Sequence, residues 1–310
     1  MGEIQNQLFI LVGALVCLNY LLKYVKFFKY FLLRLWNPLP KSFFRSMGEW
    51  AVITGAGDGI GKAYSYELAK RGLNIVMISR TLEKLQAVAK EIEQTTGSHV
   101  KIIQADFTKD DIYENIKENL QGLEIGILVN NVGMIYNYLP CHFLSGSDEV
   151  QNLIHCNISS VVKMTRLTLR GMEIRRKGLI LNLSSGVGRF PWPLYSIYSS
   201  TKAFVCMFSK ALQAEYKEKG IIIQVLTPYS ISTSMTKHLN PNLITKTADE
   251  FVKESLDFVA VGDETCGCLA HEILAHLIDL IPSWIFYSDA LQNVFLTHWA
   301  DYLKQNSSIQ

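Results

Sequence analysis

Beyond Pro38 and Pro40, short β-branched or apolar runs alternate with longer segments of helical periodicity, the rhythm of repeated βαβ units. The runs predict strands over Trp50–Thr54, Asn74–Ser79, Val100–Gln104, Ile125–Asn130, Gly178–Leu183 and Ile221–Thr227, with helices between them. They are apolar almost throughout instead of at every second position, so the sheet they form is parallel and covered on both faces. The expected fold is α/β, a doubly wound parallel sheet over residues 48–262. Residues 1–47 and 263–310 fall outside this rhythm and are read separately.

The amino-terminal stretch is membrane-seeking. Leu8 to Leu22 carries no charge, and after Lys23 the apolar character resumes through Phe27, Phe28, Tyr30, Phe31, Leu32 and Leu33. A cleavable secretory signal would start basic and end on small residues, whereas Glu3 precedes this stretch and Lys, Tyr and Phe follow it. The uncharged core is shorter than the roughly 18 to 20 residues of a comfortable span, so a tilted span and an interfacial helix both stay open. Lys23, Lys26, Lys29, Arg34, Lys41 and Arg45 all follow the apolar core, which predicts a membrane-anchoring helix and basic linker with the following domain on the cytosolic side. The sequons at Asn157, Asn182 and Asn306 are then expected to go unused.

Composition narrows the functional classes. Thirty Lys and Arg against 28 Asp and Glu give a net charge of +2, too near balance for a nucleic-acid partner. The six cysteines lack the spacing of a stapled secreted module and are read as reduced. Cys266 and Cys268 have no further ligands at metal-site spacing, so they are expected to be helix-surface thiols. From residue 263 the pattern becomes a helical extension of two helices, the second carrying Trp284, Phe286, Tyr287, Phe295, Trp299 and Tyr302. Ordinary packing, a cap over a substrate cleft and contact with a membrane surface all fit such aromatics.

The first strand runs directly into Thr54-Gly55-Ala56-Gly57-Asp58-Gly59-Ile60-Gly61 and then into a helix. That order suits a Rossmann-type dinucleotide site, where glycines let the backbone approach a pyrophosphate and the helix start offers N–H groups to it. Near the end of the second strand, where a carboxylate would bind the ribose of NAD, stand Ser79 and Arg80. A guanidinium there suits a 2′-phosphate, so the expected cofactor is NADPH/NADP.

Tyr198 and Lys202 lie four apart in a segment of helical periodicity just after Pro193, so one turn separates them. A nearby ammonium is expected to lower the phenol pKa from its ordinary value near 10 and make it a usable acid. Ser185 closes the preceding strand, where ligands of parallel sheets bind, and its hydroxyl can donate to a carbonyl oxygen.

With the glycine turn, Ser185, Tyr198 and Lys202 in order, residues 48 to 260 resemble the short-chain dehydrogenase/reductase family. Asn130-Asn131-Val132-Gly133 is similar to that family's N-N-x-G motif, and Asn157 in HCNISS falls where its fourth catalytic residue lies. The resemblance implies that Tyr198, Lys202, Ser185 and Asn157 are catalytic, with Ser185 and Tyr198 also meeting substrate and Asn157 helping to hold a water in a proton relay. It further implies that Asp106 contacts adenine, that Asn131 and Gly133 line the nucleotide site, and that Thr233 contacts the nicotinamide carboxamide. The chain departs from the family in Pro228-Tyr229, where Pro-Gly is usual, and after Asp263.

These departures and the anchor resemble the membrane-bound, steroid-reducing members of the family, which implies an endoplasmic-reticulum enzyme reducing the 17-ketone of androgens and estrogens. Very-long-chain 3-ketoacyl-CoA reductases share the anchor and catalytic set and stand as the alternative. A catalytically silent NADPH-binding scaffold is the non-enzyme alternative, against which the intact Ser185, Tyr198 and Lys202 argue. Homodimerisation is left open by the sequence.

Overall fold

The computed structural model describes residues 2–36, 39–40, 42–135, 140–146 and 148–297. Trp299, Tyr302 and Asn306 lie outside them. The chain divides into two compact units, residues 1–40 and 41–310.

Among its described residues the first unit holds one helix, α1 (Gly2–Trp36), 35 residues in length. Its described apolar side chains are open to the surroundings, with Phe9 and Ile10 among the most exposed. No helix among the described residues is long and apolar enough to cross a membrane.

The second unit is built on seven parallel strands. In chain order its elements are β1 (Trp50–Thr54), α2 (Gly59–Lys70), β2 (Asn74–Ser79), α3 (Leu82–Thr96), β3 (Val100–Gln104), α4 (Tyr113–Leu120), β4 (Ile125–Asn130), α5 (Val150–Ile154), α6 (Ser160–Arg175), β5 (Gly178–Leu183), α7 (Ser196–Tyr216) and β6 (Ile221–Leu226). After these come β7 (Ile231–Ser232), β8 (Lys246–Thr247), α8 (Ala248–Asp257), β9 (Glu264–Thr265), α9 (Leu269–Asp279) and α10 (Ser283–Phe286). The sheet order is β3-β2-β1-β4-β5-β6-β9, and every pairing is parallel. The order reverses between β1 and β4, which opens a crevice at the carboxyl ends of the strands.

Each inner strand is buried on both faces, and β4 and β5 are buried along their whole length. Strand periodicity sends alternate side chains to opposite sides. Val52, Val76, Leu128 and Ile180 join one core beneath α4 and α6, with Leu212 and Tyr216 of α7 packed on its margin. None of the residues of α2, α3 or α8 belongs to that core; α2 packs on β1, β2, α3 and α8, which covers the other face.

All six expected strands form, the last ending at Leu226. Three two-residue strands were not foreseen, because periodicity has nothing to act on at that length. One of them, β9, extends the sheet into the segment expected to be a helical extension. Cys266 and Cys268 are fully buried beside it, correcting the expectation of surface thiols. Cys17, Cys156, Cys206, Cys266 and Cys268 form no disulfide. Asn157 and Asn182 are buried as well. In the carboxyl-terminal region Phe286 packs on Phe190 and Trp192 and Phe295 on Trp192, so these two aromatics cover the loop leading into α7.

Candidate active site

A cleft of about 500 Å³ lies at the reversal of strand order. One continuous lining brings together Gly55, Gly57, Asp58, Gly59, Ile60, Ser79, Arg80, Asp106, Asn131, Gly133, Ser185, Tyr198, Lys202 and Thr233. Among the expected site residues, Gly61 and Asn157 stand just behind this lining.

The nucleotide end is shaped by close approaches. Gly59 takes φ +51°, and a Cβ there would come 3.1 Å from the Thr233 methyl. At Gly61 a Cβ would lie 2.2 Å from the Gly55 carbonyl oxygen, so nothing larger than glycine lets the turn meet the helix start. Asp58 caps α2, accepting from the Gly59 N–H at 2.7 Å. Thr54 holds the turn to the end of β4: its hydroxyl donates to the Val129 carbonyl and accepts from the N–H groups of Asn131 and Val132. The Asn131 amide returns the contact by donating to the Thr54 carbonyl at 2.9 Å. The Asp106 carboxylate is engaged by the N–H and hydroxyl of Thr108. Arg80 is exposed, and its carbonyl accepts from Gln104 Nε2 at 2.9 Å.

The chemical end is assembled from elements far apart in sequence. Tyr198 and Lys202 share one face of α7, with Lys202 Nζ 5.7 Å from the phenol ring centroid. Lys202 is 5% exposed and donates from Nζ to the Leu183 carbonyl at 3.1 Å. Ser184 fastens the same helix by donating to the Lys202 carbonyl at 2.7 Å. Ser185 caps a short turn and hydrogen-bonds to the Tyr198 phenol.

Asn157 sits in a π-helical turn, His155–Ser159, between α5 and α6. Such a bulge rotates one side chain out of the helical register. Its amide oxygen accepts from the Met134 N–H at 2.8 Å, and its Nδ2 donates to the Met134 carbonyl and to Thr201 Oγ1. Asn157 thus clamps the segment at Met134 to α7. At Gly133 a Cβ would come within 3.3 Å of Lys202 Nζ and 3.5 Å of the Asn157 oxygen, so glycine keeps the floor of the cleft low beside both groups.

The acidities differ from expectation. Burial pushes the Tyr198 phenol up to about 12, with the Ser185 hydrogen bond pulling the other way. Burial also brings Lys202 down to about 8. Desolvation here outweighs the stabilisation of a phenolate that the ammonium was expected to give. The phenol is held protonated.

Sequence reading missed the buried polar chain beneath the site. Asn130 Nδ2 donates to Asn182 Oδ1 and Thr165 Oγ1, and Asn182 Nδ2 donates to Ser209. These bonds tie β4 to β5 and the sheet to α6 and α7. The available signal was an asparagine inside each of two otherwise apolar strands. Thr201, Lys84 and Tyr229 were also missed as site residues; only spatial neighbourhood brings them there.

The glycine cradle, the helix start and the open floor at Gly133 together fit a dinucleotide, and no group of three or more His, Cys, Asp or Glu side chains suited to a metal occurs among the described residues.

Comparison with known proteins agrees with this geometry. The chain is 70% identical over 310 residues, the whole of both chains, to 17-beta-hydroxysteroid dehydrogenase type 3 of Homo sapiens. It is 47% identical over 265 residues to the very-long-chain 3-oxoacyl-CoA reductase of Macaca fascicularis, covering 84% of this chain and 85% of that one. A solved short-chain dehydrogenase from Sphingobium yanoikuyae in complex with NADPH superposes with a TM-score of 0.66 at 28% identity, over 74% of this chain and 92% of the other. The short chain dehydrogenase family model matches residues 49–244. The chain is therefore an oxidoreductase, and it belongs to the short-chain dehydrogenase family.

Proposed function

We propose that the chain is an NADPH-dependent reductase of a lipophilic ketone, with the 17-keto group of androgens and estrogens as substrate. One observation carries this: a single cleft joins the Gly55–Gly61 turn and Arg80 to Tyr198, Lys202 and Ser185. The full-length likeness to 17-beta-hydroxysteroid dehydrogenase type 3 supports the steroid class, and the NADPH complex of the Sphingobium relative supports the cofactor.

When bound, the dinucleotide supplies a hydride to one face of the carbonyl carbon. The residues do the rest. Ser185 donates a hydrogen bond that orients the carbonyl oxygen, and Tyr198 transfers its phenolic proton to that oxygen as negative charge develops there. Burial keeps this proton in place until the alkoxide forms. The Lys202 ammonium then stabilises the phenolate left behind, and Asn157 and Ser184 hold α7 at the required distance from the floor.

An apolar substrate partitions into membranes, and α1 attaches the enzyme to one. Its exposed apolar side chains and the basic residues that follow support attachment to the endoplasmic reticulum with the catalytic unit facing the cytosol. The test is to incubate membranes containing the full chain with NADPH and either androstenedione or a long-chain 3-oxoacyl-CoA. Steroid product without acyl-CoA product is expected; the reverse outcome overturns the substrate reading in favour of the acyl-CoA relatives.

A further inference from the structure

Lys84 stands in an electrostatically awkward place. It occupies the first turn of α3, where the positive end of the helix dipole disfavours a cation. An anion must compensate, and Asp58 does so in part: Lys84 Nζ donates to Asp58 Oδ2 at 3.0 Å, across 26 residues of sequence. The same oxygen accepts from Ser234 at 2.6 Å, while the other takes the Gly59 N–H. Partial burial pushes the Asp58 carboxyl up, but the hydrogen bonds from Ser234, Lys84 and Gly59 and the charge of Lys84 together hold it down at about 2. Asp58 is therefore an anion at every working pH.

That anion lies in the glycine turn itself, in the lining of the cleft that also holds Arg80. A carboxylate so placed repels phosphate. At this end of the cleft the charges of Arg80 and Lys84 balance those of Asp58 and Asp106, and without Lys84 the balance is negative. Gly57 makes the approach close, since a Cβ there would come 3.4 Å from Lys84 Cβ and 3.6 Å from Ser79 Oγ. Ser79, Arg80, Thr81 and Lys84 thus form one rim around the turn. Lys84 and Asp58 are each about half exposed, at 55% and 46% for their side chains, so the ammonium can pivot without breaking a packed core.

We infer that Lys84 is a second cation of the 2′-phosphate site, shared between the Asp58 carboxylate, whose repulsion it cancels, and the phosphate that Arg80 also meets. This rests on the NADPH reading above. It makes dinucleotide preference depend on a lysine outside both the glycine motif and the end of β2, and gives Asp58 a role beyond capping α2.

The experiment measures dissociation constants of NADPH and NADH for the detergent-solubilised full chain, from the fluorescence of the reduced nicotinamide. Unmodified protein, Lys84→Gln, Lys84→Arg and the pair Lys84→Gln with Asp58→Asn are compared at two salt concentrations. Lys84→Gln weakens NADPH about tenfold and NADH less than twofold, and flattens the salt dependence of NADPH binding. Lys84→Arg keeps the preference, and adding Asp58→Asn to Lys84→Gln restores part of the NADPH affinity, because the repulsion is gone. An equal loss for both dinucleotides, or no loss for either, overturns the inference. A lack of NADPH preference in the unmodified protein overturns the cofactor reading and the inference together; an intact preference that survives Lys84→Gln overturns the inference alone.

Discussion

The two ends of the cleft are built on opposite principles. At the nucleotide end a contiguous turn, Gly55 to Gly61, meets a rim from the end of β2 and the start of α3, with charged side chains half open to water at Asp58 and Lys84. At the chemical end the groups come from α7, the ends of β4 and β5 and a π-helical turn; the lysine is 5% exposed, and Asn157 1%. Exposed charges in high dielectric act in graded, salt-sensitive steps. Buried polar groups act nearly all-or-none, because each unpartnered atom carries its full desolvation penalty. The comparison teaches that binding preference can be tuned at one end without disturbing chemistry at the other.

Three experiments can break or sharpen that contrast. The largest effect is expected at the buried end. Tyr198→Phe removes the transferable proton with little change of shape, and should lower kcat for ketone reduction about a thousandfold, within the range for lost general acid catalysis. NADPH affinity should stay within about threefold by equilibrium titration. A parallel collapse of binding would mean that the two ends are mechanically one.

At the exposed end the effect should be smaller and confined to preference. Arg80→Asp exchanges a cation for an anion beside the phosphate rim and should shift the ratio of kcat/KM for NADPH over NADH by about a hundredfold toward NADH. Maximal turnover should change little. Retention of the original ratio would show that Arg80 is a solvated strand-end charge.

The third effect is a titration. Lys202 is depressed to about 8, so its ammonium is present below that pH and lost above it. Tyr198 at about 12 keeps its proton throughout the same window. Reduction should therefore be flat below pH 8 and fall by up to tenfold per unit above it, set by the lysine and not by the phenol. The same depression works against folding: between about 8 and the ordinary lysine value near 10.5 the unfolded chain binds more protons, so stability rises with pH across that interval while activity falls. A rate profile that stays level to pH 10 would remove Lys202 from the mechanism.

Much of the architecture was legible because it is local. An apolar run of five or six residues between turn signals specifies a buried parallel strand, and the six runs from Trp50 to Leu226 all became strands of one sheet. The glycine turn, the Tyr198–Lys202 spacing and Ser185 at a strand end were legible for the same reason, since each reports a backbone or helical geometry within a few residues. The two-residue strand Glu264–Thr265 was not, nor the burial of Cys266 and Cys268 that accompanies it. A short segment joins a sheet only because its neighbours already present an edge.

The sequence by itself determined which groups could do chemistry: a phenol, an ammonium, a hydroxyl and a glycine-lined turn, in the order that a doubly wound sheet brings to one crevice. Only the tertiary structure decided how they behave. It withdrew Lys202 and part of Tyr198 from water so that desolvation, and not their mutual charge, sets their acidity. It also placed Ser234 and Lys84 on the Asp58 carboxylate from 176 and 26 residues away. Dielectric environment and long-range juxtaposition are properties of the packed molecule, and no periodicity along the chain encodes them.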